Sequence, residues 1–301
     1  ALTEQGRNFA NKIWNAFRLV KGWTVDSTIQ QPEHSAKAIE WFKNVLNETI
    51  SKLDEQYDQY RISEALMTVY KLFWDEFSSW YLEIIKPEYQ KPIDAKTMTA
   101  TLEFFDSLVR LLHPFMPFIT EEIWQHIAER ADGESIVVVS MPKAESFDSH
   151  LIADFEDVKV VISEIRTVRK EKNIPNKDAL SLFVKTNDTV SKQFNCIISK
   201  LTNLTEISET QSEITGATSF RVKNTEYFVP LVGKIDVTEE LKKINEELEY
   251  TKGFLAIVDK KLSNENFVNK APAAVLDVEN KKKADALAKI AMLEARIATM
   301  Q

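Results

Sequence analysis

The chain has 301 residues, of which 44% are hydrophobic and 10% aromatic, and its formal net charge at pH 7 is -8. This length allows two or three domains with a sizeable core, and the acidic balance argues against nonselective coating of nucleic acid, which needs a basic field. The single cysteine, Cys196, excludes an internal disulfide or a cysteine metal cluster and suits a reducing cytoplasm. Without a long apolar run or a leader pattern, the sequence supports neither membrane insertion nor secretion. The absence of an initiating methionine indicates a fragment.

The first predicted helix, residues 6–20, has two chemically different faces. Its core face has four apolar residues at helical spacing: Phe9, Ile13, Phe17 and Val20. Its opposite face carries amides and cations in place of the usual Glu and Lys: Arg7, Asn8, Asn11, Lys12, Asn15 and Arg18. Such donors contact phosphates and base edges, and Leu19 adds one apolar side chain on which a base could rest. The alternative is a bundle helix whose amides only cap neighbouring loops.

This helix resembles the one that opens the anticodon-binding domain of valyl-tRNA synthetases, with a pattern close to A-R-N-F-x-N-K-L-W/Y-N-A-x-R-F. The matching residues are Arg7, Asn8, Phe9, Asn11, Lys12, Trp14, Asn15, Ala16 and Arg18. At the place of Leu19 the family usually has Phe, and an aromatic ring there would stack on an anticodon base. Leu19 offers only apolar contact.

The resemblance implies a division of roles on the polar face of this helix. Asn11, Asn15 and Arg18 are expected to read base edges of an anticodon. Arg7 and Lys12 are expected to hold phosphates, with Asn8 and Leu19 on the same tRNA-binding surface.

Three further stretches have apolar residues at helical intervals and are predicted to complete a bundle with the first helix. They are residues 36–53, 66–84 and 98–112. Pro87 and Pro114 follow the last two stretches and end them.

The segment 113–124, H-P-F-M-P-F-I-T-E-E-I-W, resembles the L-H-P-x-M-P-F-x-T-E-E-x-W signature of the synthetases for valine, isoleucine and leucine. Its two prolines predict a tight corner between helices. Phe115, Met116 and Phe118 are expected to fill the core there, and Thr120 is expected to be the N-cap of the next helix.

Residues 133–236 change to a mixed α and β texture. Helices are expected at 151–172 and 190–201, and strands at 180–185, 206–208, 219–222 and 227–232. Helices packed on one face of a small sheet are the simplest arrangement.

Within this region, residues 165–175 resemble the R-x-x-R-x-E-x-x-I-P segment of the valine enzymes. Arg166 and Arg169, with Lys170 and Lys172, could reach an RNA backbone. Cations near a helix end are also what the helix dipole favours, so both interpretations stay open.

Residues 237–301 are predicted to form an antiparallel coiled-coil hairpin. Its seam has three- and four-residue steps: Leu241, Ile244, Leu248, Thr251, Leu255, Val258 and Leu262, then Ile290, Leu293, Ile297 and Met300. The turn contains F-V-N-K-A-P, which resembles the F-V-x-K-A-P motif of the valyl enzyme's C-terminal arm. The resemblance implies that Lys260, Lys261 and Lys270 meet tRNA phosphates. Heptads on their own favour dimerisation.

Nucleotide-handling motifs are missing from the sequence, which contains neither H-x-G-H nor K-M-S-K-S, nor a phosphate-binding loop. We therefore expect no catalytic, cofactor-binding or metal-binding residue in this chain, which would not be active by itself. ATP is expected to bind only to the parent enzyme.

These patterns predict a mainly α protein with a helical-bundle anticodon-binding domain at 1–132, a small α/β connecting subdomain at 133–236 and a coiled-coil tRNA-binding arm at 237–301. The three motif clusters follow the order found in valyl-tRNA synthetases. The resemblance implies the tRNA-recognition part of such an enzyme, cytoplasmic and monomeric, which binds the valine tRNA anticodon through the first helix and the tRNA corner through the hairpin. The parent enzyme would attach valine to its tRNA using ATP.

Two alternatives remain at this stage. One is the anticodon-binding region of an isoleucyl or leucyl synthetase. The other is a non-catalytic helical scaffold that pairs with a protein through the coiled coil.

Overall fold

A computed structural model of the chain describes residues 2–185, 192–214, 216–231, 237–263 and 273–300. The chain divides into two compact units, residues 1–230 and residues 231–301. Both units are dominated by helices, which confirms the predicted fold class.

The first unit combines a helical bundle with a small sheet. Its α-helices are α1 (Leu2–Lys21), α2 (Glu33–Asp58), α3 (Ile62–Lys71), α4 (Leu82–Ile85), α5 (Ala95–Leu112), α6 (Pro117–Ile127), α7 (Ser149–Glu171) and α8 (Asn195–Thr202). A π-helical segment, Leu72–Tyr81, joins α3 to α4, and 3-10 turns occupy Ile136–Val138 and Lys192–Phe194. The strands are β1 (Val25–Asp26), β2 (Ile93–Asp94), β3 (Leu180–Lys185), β4 (Leu204–Glu209), β5 (Ala217–Val222) and β6 (Thr225–Pro230).

The first helix packs as its apolar spacing predicts. Its buried side chains include Phe9, Ile13, Phe17 and Val20. The ring centroid of Phe9 lies 4.6 Å from that of Tyr70, and the centroid of Phe17 lies 6.1 Å from that of Phe105. Each large buried side chain contributes roughly 1.5 to 3 kcal/mol, so this face holds α1 against the bundle and leaves the opposite face in solvent.

The apolar stripe at 66–84 predicts one α-helix, but the middle of this helical path is π-helical. Phe73, Phe77 and Tyr81 are buried there, and their successive ring centroids are 5.6 Å and 5.4 Å apart. A four-residue spacing exceeds one turn of an α-helix, so the wider π turn keeps all three rings on the core side. Helix α4 ends at Ile85, before Pro87, as predicted.

The corner between α5 and α6 differs from its prediction in two respects. Helix α6 begins at Pro117, a favoured first position, so Thr120 lies inside the helix and its predicted role as N-cap is wrong. The Thr120 hydroxyl instead donates to the carbonyl of Met116 at 2.8 Å. Phe118 is 90% exposed, so its predicted place in the core is also wrong. Ile123, Trp124 and Ile127 form the buried face of α6. With 3.6 residues per turn, Phe118 falls on the opposite side of the helix, so its ring is directed away from the core.

The predicted small sheet is present with its strands in the order β4-β3-β6-β5. Strand β3 pairs parallel with β4 and antiparallel with β6, and β5 pairs antiparallel with β6. The side chains of β3 alternate between buried and partly buried, which is typical of a strand with one face against the core.

Aromatic packing joins the bundle to the α/β part. The rings of Trp41 on α2 and Phe155 on α7 are stacked with centroids 4.0 Å apart, and Phe194 lies 5.0 Å from Phe155. The structure divides the chain at 230/231, whereas the predicted boundary at 132/133 falls inside one compact unit. This shared aromatic core explains why no division occurs there.

The second unit contains two paired helices, α9 (Val237–Leu262) and α10 (Ala273–Met300). Buried residues between them include Leu248, Thr251, Val258, Ala286 and Leu293. Lys252 pairs with Glu294 at 2.9 Å and Lys283 pairs with Asp259 at 2.9 Å. The later residue of α9, Asp259, pairs with the earlier residue of α10, Lys283. The two helices therefore run antiparallel, as predicted. The seam side chains of Leu241, Ile244, Ile297 and Met300 lie outside what the structure describes.

Candidate nucleic-acid interface

The polar face of α1 is open to solvent. Its exposed residues are Arg7, Asn8, Asn11, Asn15, Arg18 and Leu19, the last with 40% of its surface accessible. Within the described ranges, the side-chain amides of Asn8, Asn11 and Asn15 make no hydrogen bond. These amides therefore do not cap neighbouring loops, and their donors and acceptors are available to a ligand.

The cations of this face have different partners. Arg7 has a 3.9 Å contact with Glu4 in which both side chains are largely exposed, a kind of pair that contributes little. The half-buried Lys12 places its Nζ 5.1 Å from the ring centroid of Trp74. Trp74 in turn stacks on Tyr70, with centroids 5.5 Å apart. The aromatic pair thus orients the Lys12 ammonium at the edge of the polar face.

A groove of about 610 Å³ continues this face beyond the end of α1. Arg18 and Leu19 form one side, and the loop of residues 86–91 forms the other. The loop is held beside α1 because the backbone N–H of Ile93 donates to the carbonyl of Thr24 at 2.8 Å and β1 pairs with β2. The polar face of α1 and this groove together are called the α1 surface below.

Tyr89 is a candidate residue that the sequence reasoning missed. It lines the groove and is 91% exposed. Glu88 and Lys91 form a 2.6 Å ion pair across its loop, and Gln90 has the left-handed φ of 63°. The signal in the sequence was an aromatic residue between two prolines, P-E-Y-Q-K-P, but only the fold brings it next to Leu19.

Arg169 is a correction to the predicted RNA-contacting residues. It is 3% exposed, and its guanidinium donates to four backbone carbonyls. These belong to Pro175 at 3.0 Å, Asp178 at 2.8 Å, Thr202 at 2.7 Å and Asn203 at 3.2 Å. The side chain is directed inward because it satisfies carbonyls near the ends of α7 and α8, so it presents no donor to an RNA backbone.

The neighbouring cations of α7 remain accessible. Arg166 is exposed, with its guanidinium 6.0 Å from the ring centroid of Trp80. Lys170 is exposed one turn further along the helix and forms no ion pair with a described residue. The structure therefore separates the predicted cluster into buried Arg169 and accessible Arg166 and Lys170.

The predicted lysines of the arm are described in part. Lys260 and Lys261 are exposed on the last turn of α9, and Lys261 lies 3.9 Å from Glu279 of α10. Lys270 lies outside the described residues.

A polar contact links α8 to the groove loop. The Nζ of Lys200 donates to Nε2 of His34 at 2.9 Å and to the carbonyl of Lys86 at 3.0 Å. Burial, followed by the charge of Lys200, lowers the pKa of His34 from 6.5 to about 4. His34 is therefore neutral at pH 7, and its Nε2 accepts the hydrogen bond from Lys200.

This contact predicts a pH dependence of stability. Between pH 6.5 and pH 4 the unfolded chain protonates His34 and the folded chain does not, so the free energy of unfolding falls as the pH is lowered through that window. His34→Gln keeps an acceptor for Lys200 and does not titrate. Urea unfolding at pH 7 and at pH 5 measures how much of the free energy of unfolding is lost between these two pH values. This loss should be smaller in His34→Gln than in the wild type by about 1 kcal/mol, allowing for partial solvent screening. Equal losses would contradict the contact.

Comparison with known proteins identifies the class first. Residues 40–184 match the family described as the anticodon-binding domain of tRNA ligase. Residues 236–301 match the family described as the valyl tRNA synthetase tRNA binding arm. The two units thus match domain families of tRNA ligases.

Relatives extend over the whole chain. The valine–tRNA ligase of Parabacteroides distasonis is 58% identical over 300 residues, which is 100% of this chain and 34% of that protein. The ligase of Christiangramia forsetii is 48% identical over 299 residues, 99% of this chain and 34% of the relative. The ligase of Bacillus subtilis is 35% identical over 309 residues, 98% of this chain and 35% of the relative.

The chain belongs to the valine–tRNA ligase family, which confirms the resemblance found in its motifs and sets aside an isoleucyl or leucyl origin. It corresponds to the C-terminal part of these ligases and spans 34% of the length of the first relatives. In the parts of the chain that the structure describes, no helix is long and apolar enough to cross a membrane.

Proposed function

We propose that this chain is the tRNA-recognition part of an enzyme that attaches valine to its tRNA using ATP, and that the α1 surface binds the anticodon of valine tRNA. The observation that supports the proposal best is the row of exposed, unbonded amides on α1. Exposed amides flanked by cations suit RNA, because bases in an unpaired loop present hydrogen-bonding edges beside charged phosphates.

Each side chain of the α1 surface has a role in this proposal. Asn11, Asn15 and Arg18 read base edges, while Arg7 and Lys12 hold phosphates, with Asn8 beside them. Leu19 supports an unstacked base from one side. Tyr89, across the groove, supplies the aromatic face that Leu19 lacks.

The arm has a separate role. Lys260, Lys261 and Lys270 are proposed to contact phosphates at the outer corner of the tRNA, which adds affinity without reading the anticodon. Amino-acid activation and ATP binding would belong to the part of the ligase outside this chain. We also propose that the protein is monomeric and cytoplasmic.

The function is tested by binding of the purified chain to a valine tRNA transcript and to the same transcript with a replaced anticodon. Both are titrated at low and at near-physiological salt, because phosphate contacts weaken with salt whereas base contacts preserve the ratio of the two affinities. A preference for the valine anticodon that survives added salt is the expected result. Salt-sensitive binding without preference would remove anticodon recognition by α1. Absence of binding, with a stable dimer in sedimentation, would favour the scaffold alternative.

The stacking role of Tyr89 gives a specific prediction. Tyr89→Ala should weaken valine tRNA binding about 10-fold, because stacking on an aromatic ring contributes about 1 to 3 kcal/mol per base. Tyr89→Phe should bind as the wild type does, since it keeps the ring. Tyr60 is also exposed and lies in the turn between α2 and α3, so Tyr60→Ala is the matched control. Filter binding that finds equal affinities for Tyr89→Ala and Tyr60→Ala would exclude the role.

A further inference from the structure

A second cleft of the first unit has a charge opposite to that of the chain as a whole. It has a volume of about 790 Å³ and lies between the C-terminal ends of α7 and α8. Its lining contains Arg166, Arg169, Lys170 and Lys200, and within the described ranges no carboxylate lines it. The chain carries a net charge of -8, so a cleft lined by four cations is a local reversal of its electrostatic field.

In the described part of the chain, the cations that line this cleft form no salt bridge. Arg166 lies 6.0 Å from the ring centroid of Trp80, and neither Arg166 nor Lys170 has an ion pair with a described residue. Lys200 donates to His34 and to a carbonyl, both of which are neutral. Burial lowers the pKa of Lys200, although the nearby charge of Glu88 raises it, so the ammonium would gain from a further anionic partner.

Arg169 makes the cleft suitable for an anion although two helices end there. The carbonyl end of a helix is partially negative and repels anions. Arg169 donates to the carbonyls of Thr202 and Asn203 at the end of α8 and to two more in the loop after α7. Its buried positive charge offsets that repulsion and leaves Arg166 and Lys170 at the mouth.

The cleft is connected to the α1 surface. Lys200 lines the cleft, and its Nζ donates to the carbonyl of Lys86 at 3.0 Å. Lys86 lines the groove that also contains Arg18 and Tyr89. One lysine therefore contacts both sites, and both lie in the same compact unit.

We propose that this cleft, named here the α7–α8 phosphate site, binds a backbone phosphate of the same tRNA whose anticodon occupies the α1 surface. The inference rests on the proposed function and deepens it. Arg166 and Lys170 contact the phosphate oxygens directly, and Lys200 supplies further positive charge. The site adds affinity and salt dependence but no anticodon preference, because a phosphate carries no sequence information.

The test uses the double variant Arg166→Gln/Lys170→Gln in the full chain. Its control is Lys52→Gln/Lys71→Gln, which removes two exposed lysines from α2 and α3 in the same unit and so changes the net charge equally. Binding of valine tRNA is measured over a range of salt. The site variant should lose roughly 10-fold in affinity and reduce the slope of log K against log salt by about 1 to 2, as expected for lost phosphate contacts. The control should change neither quantity.

The outcomes separate the site from the function on which it rests. If the wild type prefers the valine anticodon and the site variant binds no more weakly than the control, the phosphate site is overturned and the function is retained. If the wild type does not bind tRNA, both fail. Inorganic phosphate is also titrated against the wild type and against Arg166→Gln/Lys170→Gln by calorimetry. If the wild type saturates at low millimolar phosphate and the variant does not bind phosphate but keeps its tRNA affinity, the site binds free phosphate and the RNA proposal is overturned. Circular dichroism of each variant checks that it is folded.

Discussion

Replacing Arg169 with alanine is expected to lower the free energy of unfolding by about 3 kcal/mol, whereas Arg166→Ala should change it by less than about 0.5 kcal/mol. The two arginines lie on the same helix three residues apart, and only their surroundings differ. Arg169 is buried and donates to four carbonyls. Arg166 is exposed and contacts one aromatic ring. Removing Arg169 leaves buried acceptors without donors, which costs more than the lost contacts themselves.

Urea unfolding of the two variants measures this difference, and Arg169→Lys adds a control for charge. A lysine keeps the positive charge but cannot direct paired donors at four carbonyls, so Arg169→Lys should recover only a small part of the loss. The slope of unfolding against urea should stay constant if both variants retain the native fold. Wild-type stability of Arg169→Ala, together with weakened tRNA binding, would instead mean that Arg169 contacts RNA directly.

Sequence periodicity predicted those parts of the fold that depend on local burial. Phe9 and Phe17 recur at helical intervals, so the orientation of α1 and the exposure of Asn11 and Asn15 followed from the sequence. The paired arm was predicted for the same reason, because its apolar spacing is regular.

Contacts between segments that are distant in the sequence could not be predicted from periodicity. Arg169 looked like any cation near a helix end, and its true partners lie as many as 34 residues away. Tyr89 could not be predicted as a site residue from the sequence, because its place in the same groove as Leu19 depends on the pairing of β1 with β2. Long-range placement determines whether a charged or aromatic side chain is structural or available to a ligand.

The predicted start of α6 was wrong for a different reason, because two local signals for a helix start compete there. Thr120 followed by two glutamates is typical of a capped helix start. Pro117, three residues earlier, is an equally strong start signal, and it determines the beginning of α6. Thr120 then bonds back to the carbonyl of Met116, and Phe118 is left in solvent.

Removing Asn15 and Arg18 together is expected to reduce the preference for the valine anticodon strongly. Asn15→Ala/Arg18→Ala should weaken valine tRNA by roughly 30-fold, because base-edge contacts contribute about 1 to 3 kcal/mol each to discrimination. Binding of the transcript with a replaced anticodon should change about 3-fold or less, since its base edges already mismatch these side chains. The ratio of the two affinities should therefore fall by about 10-fold or more.

A matched control is available in the sheet of the first unit. Arg221 and Asn224 are exposed at the β5–β6 turn, so Arg221→Ala/Asn224→Ala removes the same two residue types and the same charge. It should leave both affinities and their ratio unchanged. Equal losses for both transcripts in Asn15→Ala/Arg18→Ala would mean that these residues hold phosphates only, because loss of a phosphate contact weakens every sequence alike. A collapse of the ratio in that variant alone would locate direct anticodon readout on the solvent face of α1.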